Sequence, residues 1–423
     1  MSLKEIDRDS LVNEARAAAL LAEVGADAFV ASRPVEVYYF TRFWTILAKM
    51  GFEQASLALW TPQAAHRTLV VSAAQIWRLA LEEADYPARI IAYTAPTNWQ
   101  DWLQSGGKTP LRAAPSTAWP VSPDADLAAI ERAWIAATRR TEGHEAPTAH
   151  AGLARAITEA GLARGRIVTD DVTVEPALRR AGLDQIDVRC DPNLFRRLRV
   201  VKSQTEIALM QRAARMNAAA CLAAVRDITV GTTMEEIERR FGVEAAQRGG
   251  ESVFIAAGGT GLLPKGHVVR GEPFLIDAVS HYGHYHGDFG RTVILGEPDA
   301  EARRRVAALR IGWEASFAAL RPGRRYSEVR SAGLEAMRKA GYGDVLTVAV
   351  PHSVGLQHTD EPFRDGLPFA VKDDLVLEEN MTLTVDFPHI EVGFGACHLE
   401  DLVRVTRDGA EPLAAMDDPL IVL

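Results

Sequence analysis

The feature that most constrains this chain is a pair of acidic hairpins. Asp277 and Asp288 stand eleven residues apart in LIDAVSHYGHYHGDFGRT, and Asp386 and Glu400 stand fourteen apart across MTLTVDFP and HLEDLVRVT. Each pair flanks a glycine-bearing turn signal, Tyr282-Gly283 in the first and Gly393 and Gly395 in the second. A turn at Tyr282-Gly283 sets Asp277 directly opposite Asp288, and directly opposed residues have Cβ atoms roughly 4.5–5.5 Å apart. Two acidic hairpins, each preceded by helical segments, predict an internally duplicated αβ unit. His352, in PHSVGLQHTDEP, falls between them.

Four acids in buried strands without basic partners are costly, and bound cations resolve the cost. Asp277, Asp288, His352, Asp386 and Glu400 therefore read as a metal site, with a carboxylate spacing that can straddle ions roughly 3.5–4 Å apart. Four hard oxygen donors and one imidazole suit two divalent ions of Mn, Co, Zn or Fe better than a thiolate-loving metal.

Bulk properties exclude several classes. The net charge is −9, from 47 basic and 56 acidic residues, and no basic run exceeds Arg303–Arg305, so nucleic acid is not an expected partner. No run of about 18 apolar residues predicts a membrane span. Cys190, Cys221 and Cys397 are too few and scattered for a disulfide framework, and the polar start MSLKEIDRDS lacks a signal-peptide pattern. The expected compartment is the cytoplasm.

At 423 residues two domains are expected, 1–198 and 199–423, joined near FRRLRVVKSQT. The first alternates helix and strand: helix 15–25, then strands in DAFVAS, VEVYYFTRF, ASLALW and TLVVS. Helix 74–85 and strand ARIIAY follow, then an irregular Pro/Gly/Trp-rich stretch over 94–126. Helix 127–141 and the strand–helix–strand RIVTDD, VEPALRRAG, QIDVRC complete it. This predicts an α/β domain with a largely parallel sheet. Beyond the joint, Ser203 with Glu206 predicts a capping box opening a long amphipathic helix, with further helices in MEEIERRFGVEAAQRGG, EARRRVAALRIGWEASFAAL and SEVRSAGLEAMRKAG.

Taken together, DAFVASRPVEVYYFTRF, FRRLRVVKSQTEIALM, LIDAV with YHGDFGRT, HSVG, ENMTLTVDFP and HLEDLVRVTRDGAEPL resemble the pita-bread family: prolidase, aminopeptidase P, methionine aminopeptidase and creatinase. The resemblance implies an α/β creatinase-like amino domain and an α+β pita-bread catalytic domain with pseudo-twofold duplication. It also implies a dinuclear metal centre and a homodimer. Asp277, Asp288, His352, Asp386 and Glu400 fall on the five ligand positions. In the family's peptidases a metal-bridging hydroxide is the nucleophile, and the residue at the Asp386 position handles its proton. His358 falls near a histidine that meets substrate or oxyanion, and Arg291 matches an arginine that orients the second aspartate.

Four positions depart from the family. Asp386 replaces a glutamate, so the carboxylate reaches one methylene less. An upstream histidine that assists proline substrates is missing from GGTGLLPKGHVVRGEPFLID, where only His267 lies nearby. His358 follows His352 by six residues rather than seven, and His398 stands where an arginine precedes the last glutamate. The histidines His281, His284 and His286 read as a solvated hairpin tip, or His286, on the Asp288 strand face, as a ligand's partner or an extra ligand. Asp360 and Glu361 read as loop residues rather than pocket acids.

The function this implies is a metal-dependent hydrolase of the Xaa-Pro dipeptidase or aminopeptidase P type, acting on short peptides. One alternative keeps the fold and takes a small non-peptide substrate, by amide or ring hydrolysis or by a dimethylsulfoniopropionate-lyase-like elimination. A minor alternative is a non-catalytic peptide-binding module.

Overall fold

Backbone pairing groups the strands into two separate sheets. The computed structural model describes residues 10–81, 89–115, 121–258, 266–364, 373–414 and 418–423, and the chain divides into two units, Met1–Leu198 and Arg199–Leu423. The opening MSLKEIDRD, the end of the 74–85 helix, residues 116–120 of the Pro/Gly/Trp-rich stretch and residues 259–265 upstream of Asp277 lie outside the described residues.

The first unit holds β1 (Ala28–Ala31), β2 (Ser56–Trp60), β3 (Thr68–Ser72), β4 (Arg89–Tyr93), β5 (Arg166–Thr169) and β6 (Asp187–Cys190), in the order β4-β3-β2-β1-β5-β6. The sheet is mixed: β3–β4, β1–β5 and β5–β6 run parallel, but β1–β2 and β2–β3 are antiparallel. Its core is aliphatic, including Leu57, Leu59, Val70, Ile91, Leu153, Ile157 and Ile167.

One expected strand is a helix. VEVYYFTRF lies largely in the helix Pro34–Thr41, which begins with proline in its first turn and buries Glu36 through Thr41. Aromatic and β-branched content marks burial as well as extension, and here a helix buried nearly all round uses it. The chain entering it is held from far away: Asp170, at the end of β5, accepts from Ser32 N–H at 2.9 Å and Arg33 N–H at 2.8 Å. Within 94–126, Trp99–Gln104 is a short helix with Trp99 and Trp102 stacked at 4.8 Å.

The second unit holds β7 (Glu251–Gly258), β8 (Phe274–Tyr282), β9 (Tyr285–Ile294), β10 (Val350–Ser353), β11 (Thr382–Glu391), β12 (Gly395–Asp401), β13 (Val403–Val405), β14 (Ala410–Pro412) and β15 (Leu420–Val422). It is duplicated. Helices Gln204–Val225 and Met234–Gln247 precede β7-β8-β9, helices Ala300–Ala319 and Tyr326–Lys339 precede β10-β11-β12, and β9 pairs antiparallel with β12. The first of these helices opens with the expected capping box: Ser203 N–H donates to Glu206 at 2.8 Å and Glu206 N–H donates to Ser203 Oγ at 3.2 Å.

Strand parity sorts the residues of this sheet. Gly287 and Ser280, paired across β9 and β8, face the first helix, where Asn217 binds Ser280 Oγ at 2.6 Å. A Cβ on Gly287 would come 2.6 Å from Ala213 O, so the helix can approach only over glycine. Leu383, Val385, Phe387, Cys397 and Leu399 pack behind the other half with Leu309 and Trp313. The opposite parity carries the acids.

The loop after β10 is held by a buried ion cluster. Arg199 donates to Asp360 at 2.7 and 3.0 Å and Lys202 Nζ lies 3.3 Å from its other oxygen, all three side chains being fully buried. Burial alone would raise the Asp360 carboxyl, but the two cations bring it down to about 2. Asp360 is in a loop, as expected, yet it is a buried strut, and Glu361 beside it accepts from Ser353 N–H at 2.8 Å. Asp360→Asn removes the carboxylate charge that Arg199 and Lys202 share and is expected to cost about 3–5 kcal/mol. Urea denaturation monitored at Trp313 in the second unit checks this, and a loss below about 1 kcal/mol would contradict it.

Candidate metal centre

The first hairpin turns one residue later than expected. Tyr282 pairs with Tyr285, leaving Gly283 (φ 55°) and His284 (φ 68°) as the two turn residues. A two-residue turn of this kind needs positive φ at both positions. Placing it at Tyr282-Gly283 would force that conformation on a bulky aromatic. The register shifts accordingly: Asp277 lies opposite Gly290, and Asp288 lies opposite Val279. The two aspartates are diagonal neighbours on one face, not directly opposed.

The second hairpin keeps the expected register. Phe387 pairs with Leu399, which brings Asp386 into line with Glu400, and Glu400 pairs with Gly290. Asp277, Gly290, Glu400 and Asp386 thus form one row across β8, β9, β12 and β11. Asp288 is two residues from Gly290 on β9, on the same face. His352, opposite Thr384 on β11, enters from β10.

The side chains converge. His352 Nε2 lies 3.6 Å from Asp386 Oδ2, 3.7 Å from Asp288 Oδ2 and 4.0 Å from Glu400 Oε1. His358 Nε2 lies 3.1 Å from Asp288 Oδ2, with its ring 4.9 Å from that of His352. His398 Nε2 lies 3.5 Å from Glu400 Oε2. Asp288, His352, His398 and Glu400 are buried, and Asp277 is half-buried. Three triads each bring donor atoms within 4.8 Å of one another: Asp288–His352–His358, Asp277–His398–Glu400 and His352–Asp386–Glu400.

Among the described residues, both oxygens of Asp288, Asp386 Oδ1 and Glu400 Oε1 are buried without hydrogen-bond partners. No lysine or arginine pairs with the four acids there. Such a cluster lacks its countercharge, and mostly oxygen donors with imidazoles suit a divalent ion. Burial and the neighbouring charges of Asp288 and Asp386 hold the Asp277 and Glu400 carboxyls well above their ordinary range. At Asp386 burial acts the same way, but the His352 imidazole overrides it and holds that carboxyl well below.

Other expected residues fall elsewhere. Arg291 does not orient Asp288: three residues on, it points to the opposite face. There it binds Glu400 O at 2.8 Å and Asp401 Oδ1 at 2.7 Å and lies over the Phe289 ring. His286 shares the Asp288 face but is held by Gly355 O, which accepts from its backbone N–H at 2.9 Å and lies 3.1 Å from its Nδ1. Burial brings its imidazole down to about 4. His281 sits opposite His286 and 3.8 Å from Glu251, while His284 occupies the turn. His267 is exposed, bridged to Thr233, and joins none of the three triads. Two residues were not anticipated: Thr384, with a buried unpartnered hydroxyl, and Phe254, whose ring contacts His358 at 5.7 Å. Parity with Asp386 is the signal for Thr384; nothing local marks Phe254.

Residues 208–407 match the model for metallopeptidase family M24. The chain carries a pita-bread metallopeptidase domain. It is 28% identical over 239 residues to an Xaa-Pro dipeptidase of Pyrococcus furiosus, covering 54% of this chain and 67% of that protein. It is likewise 28% identical to a probable dipeptidase PepE of Mycobacterium tuberculosis, over 55% of this chain and 63% of that one. The chain thus aligns with about two thirds of each relative's length. A solved Xaa-Pro dipeptidase from Bacillus anthracis superposes with TM-score 0.69 at 17% identity, covering 97% of this chain and 99% of that one. An X-Pro aminopeptidase from Thermotoga maritima gives 0.69 at 18%, covering 96% and 100%. Both share the fold of an amino-terminal domain followed by the pita-bread domain.

The perturbed carboxyls predict a pH signature in chelator-treated protein. Folded Glu400 keeps a proton that the unfolded chain releases above its ordinary value of 4.5, so this residue's contribution to stability falls as pH rises from there. His398 and His286, held below 6.5 by burial, act in the opposite sense, losing stability on acidification. Referencing Glu400→Gln to wild type cancels them. The variant's stability advantage in urea is expected to grow by about 1 kcal/mol or more from about pH 5 to about pH 8. An advantage that is constant or shrinks over that range would contradict the charge assignment.

Proposed function

We propose that this chain is a metal-dependent hydrolase of the Xaa-Pro dipeptidase or aminopeptidase P type, cleaving the amide before proline in short peptides. The observation that carries it is the convergence of Asp277, Asp288, His352, Asp386 and Glu400 on one sheet face, with buried oxygens that lack partners. The M24 match and relatives named Xaa-Pro dipeptidases support the substrate class. In this reading residues 1–198 form the creatinase-like amino domain and 199–423 the catalytic domain. A dinuclear centre and a homodimer come with the resemblance, the choice of Mn, Co, Zn or Fe with the oxygen-rich donor set, and a cytoplasmic location with the few, scattered cysteines. No described helix is long and apolar enough to cross a membrane.

The five residues would hold the ions, which when bound polarise a carbonyl and lower the pKa of water. The chain supplies the rest. Asp386 is the most open of the row's ion-paired acids, with its side chain 22% exposed. That access lets its carboxylate take the proton of the attacking water and return it to the leaving amine. His358 is 35% exposed and anchored 3.1 Å from Asp288, so its imidazole can donate to the carbonyl oxygen as charge develops there. Phe254 and the Asp360-anchored loop fix its position.

Hydrolysis of a panel of Xaa-Pro dipeptides and tripeptides by manganese- or cobalt-reconstituted protein tests this. Turnover is expected, with Asp288→Ala lowering kcat/KM at least about 100-fold. Absence of turnover in protein that demonstrably holds metal would reject the peptide reading in favour of a small non-peptide amide.

A further inference from the structure

His398 is a sixth donor that the five-residue set leaves unused. It lies two residues before Glu400 on β12 and so shares the carboxylate face. Its backbone is clamped to β9: His398 N–H donates to Thr292 Oγ1 at 2.9 Å, and the Thr292 hydroxyl donates to His398 O at 3.2 Å. The ring occupies the space above Gly290, where a Cβ would stand 2.8 Å from Cε1.

The residue is 3% exposed, yet neither Nδ1 nor Nε2 has a hydrogen-bond partner among the described residues. A neutral imidazole carries one N–H donor and one lone pair, and burying both unmet is unfavourable. The unmet nitrogens have acids around them. Nε2 is 3.5 Å from Glu400 Oε2, and donor atoms of His398, Asp277 and Glu400 all lie within 4.8 Å of one another. Ion-to-donor bonds of about 2.0–2.2 Å bring such a triad to one point with small side-chain adjustment.

We propose that His398 is a metal ligand beside the five: with Asp277 and Glu400 it holds one divalent ion, while His352, Asp386, the shared Glu400 and Asp288, 3.7 Å from His352 Nε2, hold the other. This rests on the metal-hydrolase reading above. Each ion then has an imidazole. All-oxygen sites suit manganese and magnesium, whereas imidazole suits zinc and iron. The substitution at 398 therefore moves the centre's preference toward zinc and iron without adding a residue.

Metal binding, rather than turnover, is the test. Metal-free full-length wild type, His398→Gln and His398→Asn are titrated calorimetrically with zinc and separately with manganese. Two zinc steps are expected in wild type. In each variant one step weakens at least about tenfold while the other is unchanged, and manganese binding responds less than zinc. Zinc-edge X-ray absorption of the loaded proteins should lose one imidazole per chain in the variants. Thermal melts of the metal-free variants at or above that of wild type establish that the fold is intact. Two unchanged zinc steps and an unchanged imidazole count in either folded variant would overturn the role of His398 and leave the peptidase reading standing. Wild type that takes up neither metal would overturn both.

Discussion

Everything in the catalytic unit depends on where one sheet puts its negative charge. Asp277, Glu400 and Asp386 lie in one row and Asp288 one step away, all on the same face. Coulomb repulsion among buried carboxylates opposes that arrangement, and the histidines of the face only partly balance it. The guanidinium of Arg291, three residues from Asp288, is denied to the cluster by strand parity and instead ties β9 to β12 from behind. A face so charged and so short of cations is stable as a cation site and strained as anything else. The bare backbone at Gly290, between Asp277 and Glu400, leaves the centre of that row open for side chains to meet.

The opposite face supplies the rigidity. Asn217, Gly287 and Ser280 seat one helix against the first hairpin, and Trp313, Phe387 and Leu399 seat another against the second. A third element, the loop bearing His358, has little regular structure and is fixed by charge. Arg199 and Lys202 grip Asp360, Arg199 also reaches Gln357, and Gly355 O accepts from His286. This loop is thus pinned by a buried ion cluster whose acid lies 158 and 161 residues from its two cations. The same segment of chain, with Ser203 and Glu206, opens the first helix, where Tyr285 also donates to Glu206 at 3.0 Å.

Much of this was legible locally. The capping box, the four helices of the catalytic unit, and the alignment of Asp386 with Glu400 follow from periodicity and glycine placement. The misreadings have equally local causes. The chain VEVYYFTRF is apolar at nearly every position, so no period distinguishes a buried strand from a buried helix. Asp170, which holds the residues leading into the helix, is more than 130 residues away. The turn at Gly283-His284 required knowing which residue would tolerate positive φ beside Tyr282, and one step there moved Asp277 from opposite Asp288 to opposite Gly290.

Residue types, spacing and alternation by themselves determined that acids and an imidazole would share one face of a duplicated sheet, because the two-residue period of a strand acts along the chain. Which imidazoles join them was decided only by tertiary structure. His286, on the right face, is taken up by a backbone carbonyl; His398, on the Glu400 face by strand period, and His358, on a loop with no period, are brought against Glu400 and Asp288. That choice is made by pairing between strands and by a loop anchored through buried charge. Neither is encoded within any one segment, since each depends on contacts that exist only after distant parts of the chain have met.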